Sequence, residues 1–262
     1  MYLHRADDIQ YYSFESFENA GVISAAFTRK GGASPAPWTS LNVGGTVGDD
    51  PQRVLENRRR TFDAVGRNLE SMFDVWQVHS NEVIKSDNPR SVNESHQKAD
   101  AILTDKSTVT LFMRFADCVP MLLYDPVHRA IGLVHAGWAG TVNKIGNAAV
   151  EAMRAAYGSD PASLLAGFGP SICPDHYPIG EEVISKVKDA FGQDANSLLK
   201  TTGEAIHFDL WRANRWVLER AGVKHIETAG LCTVCHPDEW YSHRGEKGKT
   251  GRFGFLFALE NH

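Results

Sequence analysis

His79, Cys118 and His135 are the side chains of this sequence best suited to joint chemistry. Each lies in a short apolar or glycine-bounded setting: Trp76-Gln77-Val78-His79, Asp117-Cys118-Val119-Pro120, and Val134-His135-Ala136-Gly137-Trp138. Each is expected at the start or end of a β-like run, where a strand can deliver its terminal side chain to one edge of a sheet. Two imidazoles and a thiolate suit zinc with one position left open for water or substrate, the pattern of a catalytic centre. The same three groups suit copper in an electron-transfer site. Without a metal, Cys118 becomes a thiolate nucleophile with His79 or His135 as its base. The spacing matches no compact helical metal motif, so only the fold can bring the three together.

The elements that must do so are legible in outline. Apolar, β-branched and aromatic runs predict strands at 22–28, 73–78, 82–85, 99–103, 109–115, 119–124, 129–135, 164–168 and 253–259. Helices are expected from Pro51 to about 65, with Asp49 or Asp50 opening the first turn, and at 139–157, 180–191 and 207–221. Between 29 and 48 runs a long loop rich in glycine, proline and serine, a length that is often functional. Of the arginines Arg53, Arg58, Arg59 and Arg60, most read as a solvated helix face; the pair Asn57-Arg58 stands out. His4, His128, His225 and His262 read as structural.

Composition narrows the function classes. At 262 residues and 42% hydrophobic, the chain can bury a real core, and no apolar run approaches the ~20 residues of a membrane span. The net charge of −5 argues against a nucleic-acid polymer as partner. The first residues lack a secretory signal, and four cysteines without one do not suggest a disulfide framework. A cytoplasmic protein, plausibly a monomer, is expected.

Further motifs bear on ligands. Arg29 in the first glycine-rich loop and Arg244 in the stretch Arg244–Arg252 suit contacts to a phosphate or ribose, since a planar guanidinium pairs two phosphate oxygens at once. The second stretch lacks the glycine offset of a nucleotide P-loop. Cys232-Thr233-Val234-Cys235 is a C-x-x-C without a second pair; with Cys173 the remaining cysteine, it reads as local packing under a loop.

Thr28-Arg29-Lys30-Gly31-Gly32-Ala33-Ser34, Leu41-Asn42, Asn57-Arg58, Gln77-Val78-His79, Ala99-Asp100-Ala101, Ala116-Asp117-Cys118-Val119-Pro120, His135-Ala136-Gly137-Trp138, Gly169-Pro170-Ser171-Ile172, Phe208-Asp209-Leu210, Ser242-His243-Arg244 and Thr250-Gly251-Arg252 follow one another in this order. The series resembles the YfiH-like family, labelled a laccase or polyphenol-oxidase domain and later a purine nucleoside phosphorylase with adenosine deaminase activity. The resemblance implies one catalytic domain over residues 1–262, of α/β class, layered α/β/β/α and similar to cysteine-hydrolase-like toxin domains. It implies that His79, Cys118 and His135 bind one zinc and carry catalysis, with Arg29, Asn42 and Arg244 binding substrate. The implied partners are purine nucleosides of the adenosine, inosine, guanosine and methylthioadenosine class, and phosphate. It places a cysteine-threonine pair at Cys232-Thr233 without a metal role. Asp117 is the expected acid for a leaving group or the partner of a ligating histidine. Two departures stand out: Ser80 follows His79 where glycine is frequent, and Ala139 follows Trp138 where arginine is common. Amide hydrolysis of cell-wall precursors by a metal-free Cys118, and copper-dependent phenol oxidation, are the alternatives; the sequence has no His-x-His pair for a multicopper cluster.

Overall fold

Long runs of β-branched and aromatic residues with few polar interruptions must be covered on both faces. Three seven-residue strands meet that description in full: Val119–Asp125 (β8), Ala130–Ala136 (β9) and Phe253–Leu259 (β15) are buried at every residue. In the computed structural model, described for residues 1–91 and 93–260, they form the centres of two six-stranded sheets. His262 lies outside the described residues.

The first sheet runs Tyr2–Ala6 (β1), Ile9–Ser13 (β2), Val22–Phe27 (β3), β15, Thr110–Phe115 (β7) and Met72–Phe73 (β4). The second runs His225–Thr228 (β14), Leu165–Phe168 (β10), β8, β9, Ala101–Thr104 (β6) and Val83–Lys85 (β5). A small third sheet joins Pro178–Ile179 (β11), Ala205–Phe208 (β13) and Leu199–Thr202 (β12). The helices are Pro51–Asp63 (α1), Trp138–Val142 (α2), Ile145–Tyr157 (α3), Glu181–Phe191 (α4), Ala195–Leu198 (α5) and Leu210–Arg220 (α6). None is long and apolar enough to cross a membrane. The fold is thus mixed α/β with several sheets.

Strand alternation sorts side chains between layers. Along β8, Leu122 and Tyr124 join a core with Phe253, Phe255 and Phe257 of the first sheet. Their neighbours Val119, Met121 and Leu123 face a second core with Ala149, Met153 and Val217 of α3 and α6. On the outer side of the first sheet, Phe112 and Leu256 pack with Phe62 of α1. His135 shares the strand parity of Ile131 and Leu133, which face the inter-sheet core, and its ring lies 5.5 Å from Phe115 of the first sheet.

Several sequence expectations shift by local chemistry. The helix expected at 139–157 is two, because Lys144 takes a left-handed φ of 60° and sets its Nζ 3.1 Å from the Phe191 ring centroid. The helix expected from 207 begins at Leu210, with Asp209 as its N-cap accepting from Arg212 N at 2.9 Å; residues 207–208 are in β13 instead. The strand expected at 73–78 stops at Phe73.

The residue that follows, Asp74, is a buried hub of polar contacts. Its fully buried carboxylate receives Arg90 Nε at 2.7 Å, Arg114 Nη1 at 2.8 Å and His96 Nε2 at 3.0 Å. Burial alone would raise its pKa; the Arg114 charge and the Arg90 hydrogen bond outweigh that and hold it below the usual carboxylate range. Asp74→Asn leaves two part-buried guanidiniums without their counter-charge, and denaturant unfolding should show a loss of about 3–5 kcal/mol. The sign with pH follows from the depressed pKa. The stabilisation is complete above about pH 4 and fades as pH falls through the folded value, a component that the asparagine variant should lack.

Candidate metal centre

The chain passes from the first sheet to the second in a three-residue corner, Ala116-Asp117-Cys118, between β7 and β8. Asp117 makes the turn with a φ of 87°, a region rarely used outside glycine. Its carboxylate is fully engaged in holding that turn. Oδ1 accepts from Thr233 Oγ1 at 2.7 Å and Ser242 Oγ at 2.6 Å, and Oδ2 accepts from Arg244 N at 2.6 Å. Its bonds therefore go to the loops beyond β14, and neither expected role, partner of a ligating histidine or open acid, matches its contacts.

Cys118 emerges from this corner next to the penultimate residue of β9, His135. The third residue, His79, does not end a strand, contrary to the expectation from its apolar setting. It sits in an irregular loop with a φ of 61°. That loop is held by Asp100, whose Oδ2 accepts from Val78 N at 3.2 Å, Ser80 N at 2.6 Å and Ser80 Oγ at 2.8 Å. The other oxygen, Oδ1, accepts from His135 Nδ1 at 2.8 Å, and His135 N donates to Asp100 O at 2.7 Å. One buried carboxylate thus fixes both histidine segments. Burial opposes its ionisation, but the His135 and Ser80 hydrogen bonds bring its pKa down to about 2.

The result is convergence of one donor atom each from His79, Cys118 and His135, all within 4.8 Å of one another. Cys118 Sγ lies 4.0 Å from His79 Nε2, and the two imidazole rings are 4.9 Å apart. His135 is buried, Cys118 half-buried and His79 exposed, so the cluster opens on one side to solvent. With Nδ1 bonded to Asp100, His135 presents Nε2 to the cluster, the orientation that a carboxylate commonly imposes on a metal-ligating histidine. Burial would raise the Cys118 thiol, yet the charge of His135 and hydrogen bonds to both histidines pull it down to about 6. Burial would lower His135, yet Cys118 and Asp100 lift it to about 9. An anionic sulfur flanked by imidazoles fits a borderline-soft divalent metal.

Gly137 closes the site from below. A Cβ there would lie 2.8 Å from Cys118 Sγ and 3.0 Å from His79 Cδ2, which explains the glycine after His135-Ala136. Arg252 is also close: burial lowers its pKa, and the nearby Cys118 and Asp117 charges partly counter this. Beside Cys118 stands Tyr177, whose hydroxyl pKa burial and the Cys118 charge both raise; Arg244 lies over its ring at 4.9 Å.

The model of the family described as multi-copper polyphenol oxidoreductase laccase matches residues 23–260. The chain belongs to this family. It is 36% identical over 260 residues to purine nucleoside phosphorylase YlmD of Bacillus subtilis, covering 96% of this chain and 94% of that one. To the purine nucleoside phosphorylase of Deinococcus radiodurans it is 37% identical over 241 residues, covering 92% and 90%. Among solved structures, Bacillus licheniformis YfiH superposes with a TM-score of 0.91 at 31% identity, over 98% of this chain and 99% of that one. YlmD of Geobacillus stearothermophilus gives the same TM-score at 30% identity, over 98% of each.

Within this family frame, the three expected substrate residues part company. Asn42 is fully buried and saturated: Nδ2 donates to Gly44 O and Asp49 Oδ2, while Oδ1 accepts from Gly44 N and Arg252 N. It builds the loop that carries Gly44 and offers nothing to a ligand. Arg29 is likewise committed, donating to Thr39 O, Pro237 O and Glu246 Oε1 with its guanidinium 4.4 Å from the Tyr241 ring centroid. Arg244 is exposed, and its Nη1 donates to Pro178 O at 2.7 Å. Asn57 is a buried loop scaffold too, whereas Arg58 donates Nε to Val43 O and is brought down to about 10 by burial and the Arg114 charge. Ser80 gives Asp100 a hydroxyl bond that a glycine there cannot make. Ala139 lines a depression of about 410 Å³ with Trp138, Asn143 and Lys186.

Asp100, named in the sequence only as part of a motif, is the residue whose role the linear reading missed. Replacing Asp100 with asparagine should weaken metal binding at the centre by about 10–100-fold, measured by competition with a chelating dye. Unchanged affinity would show that the histidines are placed without it.

Proposed function

We propose that this protein is a zinc-dependent purine nucleoside phosphorylase acting on the adenosine, inosine, guanosine and methylthioadenosine class, with adenosine deaminase activity at the same centre. The observation that carries the reading is the convergence of His79, Cys118 and His135 on one solvent-open point. Relatives bearing the phosphorylase name over nearly the whole chain support it. Residues 1–262 act in this reading as one catalytic domain, a cytoplasmic monomer; pairing of β15 with both β3 and β7 ties the C-terminal end into the first sheet. The four-layer α/β/β/α order belongs to the proposal and rests on where the three cores sit.

His79, Cys118 and His135 would hold the zinc, which when bound would supply Lewis-acid chemistry beside an open position. The protein's own groups do the rest. Asp100 keeps His135 in one tautomer and keeps the His79 loop closed over the site. Phosphorolysis requires an anion beside the anomeric carbon as the purine departs through an oxocarbenium-like transition state. In this reading Arg252, whose charge is felt by Cys118, and the exposed Arg244 are the cations that would neutralise that anion. Tyr177, backed by Arg244, offers an aromatic wall for a purine base.

A second reading has its own observation. Asp100, His135 and Cys118 form a carboxylate–imidazole–thiol relay with the thiol pKa down to about 6, the arrangement of a cysteine nucleophile acting on amides. Protein purified without added metal, assayed for zinc and then for base and ammonia release with and without phosphate, separates the two. His79→Ala and Cys118→Ala should each abolish bound zinc at the centre and reduce both activities to background. Full phosphorolysis by metal-stripped protein, lost on Cys118→Ala, would favour the nucleophile instead.

A further inference from the structure

The C-x-x-C of Cys232 and Cys235 has no partner pair in the sequence, but it acquires one in space. Cys173 and His176, at the two ends of a tight turn after β10, come up against it. The four donor atoms, three Sγ and His176 Nδ1, all lie within 4.8 Å of one another. From His176 Nδ1 the sulfurs of Cys173, Cys235 and Cys232 stand at 3.2, 3.5 and 3.8 Å. Zinc bonds of about 2.3 Å to sulfur and about 2.0 Å to nitrogen imply tetrahedral edges of about 3.5 Å between N and S. The observed spacings bracket that value. Cys173 N also donates to Cys232 Sγ at 3.3 Å, a bond that stabilises a thiolate. All four cysteines of the chain are free thiols, so no disulfide competes for these sulfurs.

We propose that Cys173, His176, Cys232 and Cys235 form a second zinc site, separate from the centre at Cys118 and structural in character. The donor set distinguishes the two. Three thiolates and one imidazole complete a tetrahedron and leave no position for water, whereas the first cluster supplies three donors and leaves one open. Soft thiolates select zinc over hard cations. Each pair of ligands is separated by two residues on its own turn, so a metal would clamp two loops distant in sequence.

Those loops are the ones that hold the Asp117 corner. Ile172, preceding Cys173, donates its N–H to Asp117 O at 2.9 Å. Thr233, following Cys232, donates its hydroxyl to Asp117 Oδ1. The loops also join each other directly, through Ser171 N to Leu231 O and Thr233 N to Ser171 O. The second metal therefore fixes the frame from which Cys118 projects, while touching no residue of the first cluster. Cys173 and Cys232 are buried, His176 and Cys235 exposed, so the site lies at the surface edge of that frame.

The test is metal content of the full-length protein isolated without added metal, with X-ray absorption at the zinc edge. The expected result is two zinc per chain and an averaged first shell with about two sulfurs per zinc, from an S₃N site and an SN₂ site. Cys235→Ser, at an exposed position, should remove one equivalent and leave the His79–Cys118–His135 metal in place; His79→Ala should remove the other. Thiol-blocked protein analysed by mass should show all four cysteines reduced. The proposal is overturned by a single zinc that Cys235→Ser leaves untouched, or by a Cys232–Cys235 or Cys173–Cys232 disulfide in freshly isolated protein. Because each variant reports on its own metal, loss of one site leaves the reading of the other intact.

Discussion

The convergence of His79, Cys118 and His135 depends on one buried carboxylate. Asp100 lies at the start of β6, fully buried, and divides its oxygens between two segments. One oxygen orients the His135 imidazole and the other collects three donors from Val78 and Ser80. A carboxylate that accepts so many hydrogen bonds stays ionised despite burial. The same charge holds His135 in position and closes an otherwise irregular loop, so His79 reaches the site without belonging to a strand.

A second carboxylate performs the matching task for the sulfur. Asp117 turns the chain from one sheet into the other and is locked in a left-handed conformation by donors from Thr233, Ser242 and Arg244. Non-glycine residues persist in that region when surrounding contacts over-determine them. Here the contacts come from loops more than a hundred residues downstream. The Cys173–Cys235 cluster sits on those same loops, which gives the far end of the chain a direct mechanical hold on the position of Cys118.

Much of this was legible beforehand, for a physical reason. Strands buried on both faces, such as β8, β9 and β15, have almost no choice of residue type, and their limits agree with the sequence reading to within a residue or so. Pro51 and its capping aspartate mark α1 by local chemistry alone. The edge strand β1 and its neighbour β2, and the short strands of the third sheet, carry polar alternation too brief to distinguish from loop. Lys144 broke an expected helix through a contact with Phe191 and Trp216, which no local pattern encodes.

By itself the sequence determined which three residues could share a metal, because thiolate and imidazole are scarce and their apolar settings set them apart. It also determined the family, through the order of its motifs. Only the tertiary structure showed which polar residues are bound into the scaffold. Arg29 and Asn42 have the right chemistry for substrate, but in the fold Asn42 is buried and saturated and Arg29 donates to Thr39, Pro237 and Glu246 within the protein. Asp100 and His176 looked ordinary, yet each completes a cluster with residues remote in sequence. Ligand sets are defined by distances of a few ångströms, and across loops this long such distances are settled by how the sheets pack, not by spacing along the chain.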